Sequence, residues 1–362
     1  MNLRLDTERV PSHFTPSFDL EFNTKAMLKA CLLTEGIRLH ASCVDLLPRK
    51  PFYSIVTEGI ELEVNGDFFV NAPIQIHSPR ELIVNNGHVL IRTEKKEYPV
   101  RCLPASSVLL ETNVPANRPV SDYCSISTDR ANIWPVDGCH FAACKKPCRF
   151  CDVGFGPDSY QSMDQSLTIN ALKAVIQDTS LPVRHIQVTG GTPASHHWDH
   201  FVEVTRQALK TELPVSVMTS PTTPLSILDE LYEAGVDELC VNIEFVSEDL
   251  RSKLCPGKAS VTWELLEKIA SKWPRGKVRS AIIIGPEKKS TVLKGIRRMA
   301  EIGILPVLSP FRPVKGTPMS SFPGPKSEDL YSIYIEACNI SEKYGVMVGP
   351  LCNMCKHNVM AI

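Results

Sequence analysis

Cys144, Cys148 and Cys151 stand in one short run, Cys144-Lys-Lys-Pro-Cys148-Arg-Phe150-Cys151. The C-x3-C-x2-C spacing offers three thiolates from a single loop, one fewer than a closed tetrahedral site or a fully ligated iron–sulfur cluster takes. Such a loop predicts a metal centre with one open coordination position, and an open position is where chemistry happens. The alternative is a zinc site with Cys139, His140 or a distant residue as fourth ligand. Structural zinc sites usually pair one C-x2-C knuckle with a second far away, and Cys148/Cys151 and Cys352/Cys355 are two such pairs.

The elements that must hold this loop can be read from the patterning. Residues 1 to about 20 are polar with scattered prolines, as in an extended arm, and residues 21–40 carry apolar side chains at helical spacing. From Pro51 to about Leu110, short β-forming runs predict a small antiparallel β domain. They are Tyr53–Val56, Ile60–Val64, Phe68–Val70, Ile74–Ile76, Leu82–Val84 and Val89–Arg92, with Asn65-Gly66 and Asn86-Gly87 as turn signals. Asn113–Ser121, with two prolines, reads as a linker. Beyond residue 130, strands alternate with helices. The expected strands are 133–136, 185–189, 215–219, 238–244, 278–284 and 305–308, and the expected helices are 166–178, 200–211, 225–234, 263–272, 290–302 and 329–344. Six β/α units imply parallel strands with right-handed crossovers, in a doubly wound sheet or a barrel. The division expected is 1–120 for arm, helix and small β domain, 121–325 for the α/β unit, and 326–362 for a helix and CxxC tail.

Bulk properties restrict the function classes. The chain has 362 residues, 43% hydrophobic and 22% charged, with a formal net charge of -1. That balance is ample for a buried core and advertises neither nucleic acid nor an anionic membrane surface as partner. No apolar run reaches the roughly 18 residues of a membrane span, and the N-terminus has no apolar signal segment, so a cytoplasmic protein is expected. Thirteen cysteines without a secretion signal argue for metal binding or buried thiols rather than disulfides. Cys31, Cys43, Cys240, Cys255 and Cys338 lie in apolar or helical surroundings and read as core residues.

The cysteine loop, with Phe150 just before its last cysteine, resembles the cluster motif of the radical S-adenosylmethionine (radical SAM) superfamily. The resemblance implies a partial (β/α)6 barrel of TIM type over roughly residues 130–320, with Cys144, Cys148 and Cys151 holding three irons of a [4Fe–4S] cluster. It implies that the fourth iron is chelated by S-adenosylmethionine. Thr189-Gly190-Gly191-Thr192-Pro193 is similar to the family's GGE segment, which contacts the cofactor's amino group, with Thr192 where Glu is commonest. By the same resemblance Thr219 and Ser220 are ribose candidates, Asn242 and Glu244 face the barrel mouth, and Arg251 is a cation for the methionine carboxylate. Ile283 and Gly285, in Ala281-Ile-Ile-Ile-Gly285-Pro-Glu287, and Phe150 are expected near adenine. Pro310–Pro318 resembles the P-x-GT ending of the biotin-synthase-like branch, and Arg312 within it is a candidate anchor for an anionic substrate group. The function implied is reductive cleavage of S-adenosylmethionine to methionine and a 5′-deoxyadenosyl radical, which abstracts hydrogen from an unactivated C–H bond of a small-molecule substrate. An external one-electron reductant of flavodoxin or ferredoxin type is the implied partner, and no acid–base residue is needed for that first step.

Cys352 and Cys355 suggest either an auxiliary iron–sulfur cluster, completed by Cys102, Cys124 or Cys139, or a zinc knuckle or free thiols. An auxiliary cluster points to sulfur insertion or cofactor maturation. The non-enzymatic alternative is an iron–sulfur or zinc protein serving as sensor or scaffold. His196, His197 and His200 read as surface residues at a helix start.

Overall fold

The computed structural model describes residues 20–46, 59–103, 106–154, 160–179 and 181–362. The N-terminal arm and the strand expected at Tyr53–Val56 lie outside them. Helix α1 (Leu20–Thr34) leads into a six-stranded sheet: β1 (Arg38–Leu39), β2 (Gly59–Val64), β3 (Phe68–Pro73), β4 (Glu81–Asn85), β5 (His88–Arg92) and β6 (Glu97–Cys102). Its order is β1-β4-β5-β6-β2-β3, antiparallel except for the β1–β4 pair. In β2 the alternation is strict, with Ile60, Leu62 and Val64 buried and Glu61 and Glu63 less so, as a sheet with one covered face requires.

Two local expectations are corrected. Ile74–Ile76 is not a strand: β3 ends at Pro73, Ile74 keeps a single bridge to Ile37, and Ile76 is 80% exposed. Strand β6, polar and carrying Pro99, gave no sequence signal but pairs with both β5 and β2. The expected linker is also structured. After α2 (Ser107–Glu111), β7 (Asn113–Val114) and β8 (Arg118–Pro119) form a tight hairpin. It turns through left-handed Ala116 and Asn117 and buries Val114 and Val120.

The second sheet has seven strands in the order β17-β16-β15-β14-β13-β10-β9. They are β9 (Cys124–Ser127), β10 (Arg130–Ile133), β13 (His185–Val188), β14 (Val215–Thr219), β15 (Glu238–Val241), β16 (Val278–Ile284) and β17 (Leu305–Pro310). A two-stranded ribbon of β11 (Val136–Asp137) and β12 (Gln161–Ser162) follows β10. The helices are α3 (His140–Ala143), α4 (Gln165–Ile176), α5 (Trp198–Leu209), α6 (Leu225–Glu233), α7 (Glu248–Leu254), α8 (Trp263–Ser271), α9 (Lys289–Glu301) and α10 (Ser327–Lys343). From β10 to β17 every neighbour in the sheet is also the next parallel strand in the chain. A doubly wound sheet would reverse its order at a switch point. An unbroken order with crossovers of one hand places the helices on one face and curls the sheet toward a barrel. The structure is this partial barrel, preceded by the largely antiparallel N-terminal sheet.

Because the barrel has six parallel strands rather than eight, β17 and β10 do not pair. The C-terminal tail and the N-terminal sheet lie along this seam. Met360 N donates to Leu308 O at 2.8 Å, Gly349 N to Pro306 O at 2.9 Å, and Asn71 N of β3 to His357 O at 2.7 Å. Lys29 of α1, fully buried, donates to the carbonyls of Lys356 and Ala361. Arg312, after β17, donates to the side-chain and backbone oxygens of Asn71 at 2.9 and 2.7 Å. It is a partly buried strut between the two sheets, neither a surface ion pair nor a group facing the barrel mouth, and desolvation holds its pKa down at about 10.

Candidate active site at the strand C-termini

In parallel barrels, reactive groups collect at the carboxyl ends of the strands. The cysteine loop begins there, after β11. Cys144 caps α3 and is exposed, with its sulfur 3.5 Å from His140 Nε2. Lys145 takes a left-handed conformation, φ 59°, reversing the chain so that Cys148 and Cys151 fall in one turn, Cys151 N to Cys148 O at 3.1 Å. The connection after β15 supports this loop from below. Arg149 N donates to Leu254 O at 2.8 Å and Gly257 N to Lys146 O at 3.2 Å. A Cβ on Gly257 would fall 2.3 Å from the Phe141 ring.

Cys148 and Phe150 pack on a small apolar cluster of Phe245, Cys255, Ile283, Phe311 and Met319, separate from the main core. These residues follow or end β15, β16 and β17, so the loop after the first strand meets the far side of the barrel mouth. Phe150 meets Phe245 edge to face, centroids 5.9 Å apart. Beneath lies a buried ion pair, Lys258 Nζ to Glu244 Oε1 at 2.7 Å. Burial opposes the charge on Lys258, but the Glu244 carboxylate, with the Cys148 sulfur close by, outweighs it and holds the ammonium well above its ordinary pKa. The Cys255 thiol donates to Cys148, and this bond, with Lys258 nearby, lowers the Cys148 pKa against the cost of burial. Burial pushes Cys151 up to about 12.

The other residues singled out in the sequence are placed as follows. Gly190 (φ 122°) and Gly191 follow β13. A Cβ on Gly191 would sit 1.9 Å from Gly138 O, and one on Gly190 3.1 Å from Trp134 Cβ. Close packing on the chain's own preceding loop therefore accounts for both glycines. His140 N donates to Thr192 O at 2.9 Å, tying this turn to the cysteine loop, and Pro193 is buried beside it. Thr219 and Ser220 are buried at the end of β14 in a hydroxyl chain with Thr223 and Thr222, 2.9 Å in each pair.

Strand β15 ends at Val241, earlier than expected, because Glu244 adopts φ 66° and only bridges to Ile282. The alternation expected to put Asn242 and Glu244 on one side is therefore broken. Asn242 Oδ1 accepts from Ala281 N at 3.0 Å, joining β15 to β16, while Glu244 faces Lys258. A non-glycine residue held left-handed is strained, and here the strain turns a carboxylate toward the cysteine loop.

Arg251 does not reach the mouth. It is fully buried and donates to Phe245 O at 2.8 Å and Val261 O at 2.6 Å, clamping the segment that cradles the cysteines. Ile283 belongs to the apolar cluster, and Gly285 (φ 135°) passes Phe311 and Pro325. Glu287 receives Val246 N and Ser247 N at 2.8 and 2.7 Å, capping the start of α7.

Sequence reasoning did not identify Lys258, Cys255, Phe245 or Tyr160. Tyr160 accepts a bond from Ala194 N and lies 2.9 Å from His197 Nδ1, so His197 is part of the loop scaffold rather than a free surface residue. His200 Nε2 lies 3.1 Å from Pro135 O, and His196 is exposed. The short α7 carried no periodicity signal, and the Lys258–Glu244 pair spans 14 residues, beyond the reach of a local motif.

A second constellation lies at the opposite end of the strands. Asp129, just before β10, and His185, first residue of β13, meet Cys352 and Cys355, with one donor atom from each lying within 4.8 Å of all the others. The thiols expected to join that pair do not. Cys139 lies near Cys151 and Tyr160, Cys102 near Cys43, and Cys124 is fully buried.

A barrel of this order with a three-thiol loop at its mouth defines a class, and comparison with known families bears it out. Residues 136–305 match the Radical SAM superfamily model. The biotin-synthase-like ending at Pro310–Pro318 falls outside the matched residues. A search of curated proteins finds no match. Among solved structures, the chain is similar to coproporphyrinogen III oxidase from Escherichia coli, described as a radical SAM enzyme, at 14% identity over 60% of this chain and 53% of that one, TM-score 0.40. It is similar to SuiB of Streptococcus suis bound to S-adenosylmethionine at 12% identity over 64% and 52%, TM-score 0.48. For HydG, a maturase of the [FeFe]-hydrogenase, the values are 14%, 59%, 50% and 0.48. The chain thus spans about half the length of each, and no residue role is taken from them. Among the described residues, no helix is long and apolar enough to cross a membrane.

Proposed function

We propose that the chain is a radical SAM enzyme acting on a small-molecule substrate. The donor chemistry fits the group the family implies: three thiols on one loop, no fourth cysteine within the loop, and an apolar wall beside it. Cys144, Cys148 and Cys151 would hold a [4Fe–4S] cluster. When bound and reduced by a flavodoxin- or ferredoxin-type donor, it supplies the electron that cleaves the cofactor's C–S bond. The chain's own residues then have separable tasks. Phe150, Phe245, Ile283 and Phe311 exclude water from the mouth. Lys258, beside Cys148, is held by Glu244 and by the carbonyl of Asn242 and forms the floor of the mouth, while Arg251, first assigned to an anion, spends its terminal amino groups on backbone carbonyls. Gly190, Gly191, Thr192 and Pro193 hold the facing turn, with Thr219, Ser220, Asn242 and Gly285 at the strand ends around the mouth and Glu244 beneath it, paired with Lys258.

The observation that carries this reading is the meeting of Cys148 and Phe150 with residues from three distant strand ends over one buried ion pair. Sulfur insertion or maturation from an auxiliary cluster is not invoked, because Cys352 and Cys355 sit with an imidazole and a carboxylate at the other end of the sheet. The test is anaerobic reconstitution with iron and sulfide, reduction by dithionite, and assay of 5′-deoxyadenosine. Product from wild type and none from Cys148→Ala is expected; equal amounts from both, or none from an iron-loaded wild type, would overturn the proposal.

A further inference from the structure

Among the described residues, Asp129, His185, Cys352 and Cys355 are the one group of three or more His, Cys, Asp or Glu side chains whose donor atoms converge within 4.8 Å. His185 Nε2 lies 2.9 Å from Cys355 Sγ, Cys352 Sγ lies 3.9 Å from Asp129 Oδ1, and His185 Nδ1 lies 3.9 Å from the same oxygen. Asp129 and Cys355 are buried; His185 and Cys352 are partly so. We propose that these four residues bind a single zinc-type divalent cation, and that this ion fastens the C-terminal tail across the open seam of the barrel.

The argument for one ion rather than a cluster is one of size. Tetrahedral donors about 2.3 Å from one zinc sit about 3.8 Å from each other. In an iron–sulfur cubane each thiolate belongs to a different iron, so the donors spread wider than this group allows. The donor types agree: two thiolates, an imidazole and a carboxylate are borderline-soft ligands suited to zinc, with none of the oxygen-only character of a magnesium or calcium site. Two thiolates and a carboxylate around a dication leave one net negative charge. Arg130 stands at that point, its Nη1 3.5 Å from Cys355 Sγ and its Nε 3.0 Å from Asn132 Oδ1. A hydrogen-bonded partner behind a ligand is the usual support for a metal site.

Position gives the role. Asp129 and His185 stand at the amino ends of β10 and β13, which run side by side with Arg130 opposite His185. In parallel barrels this face serves stability rather than catalysis. Cys352 and Cys355 come from the tail that already bonds β17 on its other flank through Leu308 and Pro306 and packs Val359 and Ala361 against Val307 and Ala281. Since β17 and β10 are the two ends of the parallel array, an ion shared by the tail and β10–β13 closes the ring that the strands leave open. Metal binding at a site absent from the unfolded chain is itself folding free energy.

The site is independent of the proposed reaction, and the test separates them. Full-length protein with Cys144→Ala, Cys148→Ala and Cys151→Ala, which cannot hold the family cluster, is loaded with zinc alone and dialysed. About one zinc per chain is expected to remain, and cobalt in its place should give a thiolate-to-metal charge-transfer band. Adding Cys355→Ser should lower retained zinc at least about tenfold. Should that variant fail to fold, Asp129→Asn, which keeps the shape and removes the charge, should lower it in the same direction. Hydrogen exchange of residues 345–362 should speed up on chelation. Retention of iron with labile sulfide by the folded triple variant after anaerobic reconstitution, or no retained zinc, would overturn the site. Unchanged tail exchange after zinc removal would overturn the fastening role.

Discussion

The two cysteine constellations sit at opposite ends of the same parallel strands and are built on opposite plans. At the carboxyl ends, one loop carries three thiols and leaves Cys144 exposed, with aromatic walls and a buried ion pair nearby. At the amino ends, three separate segments each contribute one or two donors and leave Asp129 and Cys355 buried. A loop can present several ligands on one side and keep another side open, because its residues share a short stretch of backbone. Ligands drawn from distant segments surround the space between them, and any ion bound there becomes a cross-link. Openness suits reaction, and enclosure suits fastening.

The sharpest way to break this comparison is to disable one end and read the other. Cys148→Ala/Cys151→Ala should abolish 5′-deoxyadenosine formation and the reconstituted iron, while retained zinc stays at about one per chain. The converse variant, His185→Ala/Cys355→Ser, should lose zinc yet still assemble about four irons after reconstitution. Loss of both metals in either variant would show that the two ends are not separable.

Next in size is the ion pair beneath the upper site. Lys258 and Glu244 side chains are only 9% and 12% exposed. Lys258→Met strands a carboxylate in a low-dielectric pocket, and removing one partner of a buried pair costs about 3–5 kcal/mol. Urea midpoints should show that loss, and the double variant Lys258→Met/Glu244→Leu should recover most of it. A single variant as stable as wild type would mean that water reaches the pair and that the mouth is not the dry site proposed.

The same contrast explains what could be read from the chain alone. The cysteine loop, the Gly-Gly turn and the repeating strand–helix pattern are local and appear in the expected order, although the first barrel strand lies at Arg130–Ile133 rather than 133–136 and β15 stops at Val241. The lower site shows only Cys352-x2-Cys355 in sequence, since Asp129 and His185 become its neighbours only when β10 and β13 pair. Arg251 illustrates the opposite error. A charged residue in a short polar segment reads as solvated or ligand-facing, but here two buried carbonyls required donors and the guanidinium supplied them. Asn242 and Glu244 were placed by strand alternation, which a left-handed residue at 244 interrupts. Strain of that kind leaves no composition signature.

A smaller effect tests why the Gly-Gly turn is needed. Gly191→Ala inserts a methyl 1.9 Å from Gly138 O and 2.6 Å from Cys139, so the loop carrying the cysteines must move. Overpacking of this kind costs about 1–3 kcal/mol. Gly66→Ala, also at a turn but with nothing within 4 Å, pays only the strain of φ 74°, about 1–2 kcal/mol. The two can be close in urea midpoint, so the discriminating measurement is iron uptake, which should fall in Gly191→Ala alone. Equal uptake would mean that the turn does not hold the cysteine loop in register.

The mildest predicted change concerns charge balance at the lower end. Arg130 is buried, and its guanidinium faces the Cys355 sulfur at 3.5 Å and Asn132 at 3.0 Å. Arg130→Gln keeps a donor of shorter reach and removes the positive charge. If two thiolates and a carboxylate surround one dication, the lost charge should weaken zinc about tenfold, the lower end of what supporting residues contribute. Competition with a chromophoric chelator reads this directly, and iron loading at the upper loop should not change. Were Arg130 instead paired with a free Cys355 thiolate and no metal present, its removal would raise the thiol's pKa and leave zinc affinity negligible in both proteins. The direction of the competition curve therefore distinguishes a metal site supported by arginine from an arginine–thiolate pair.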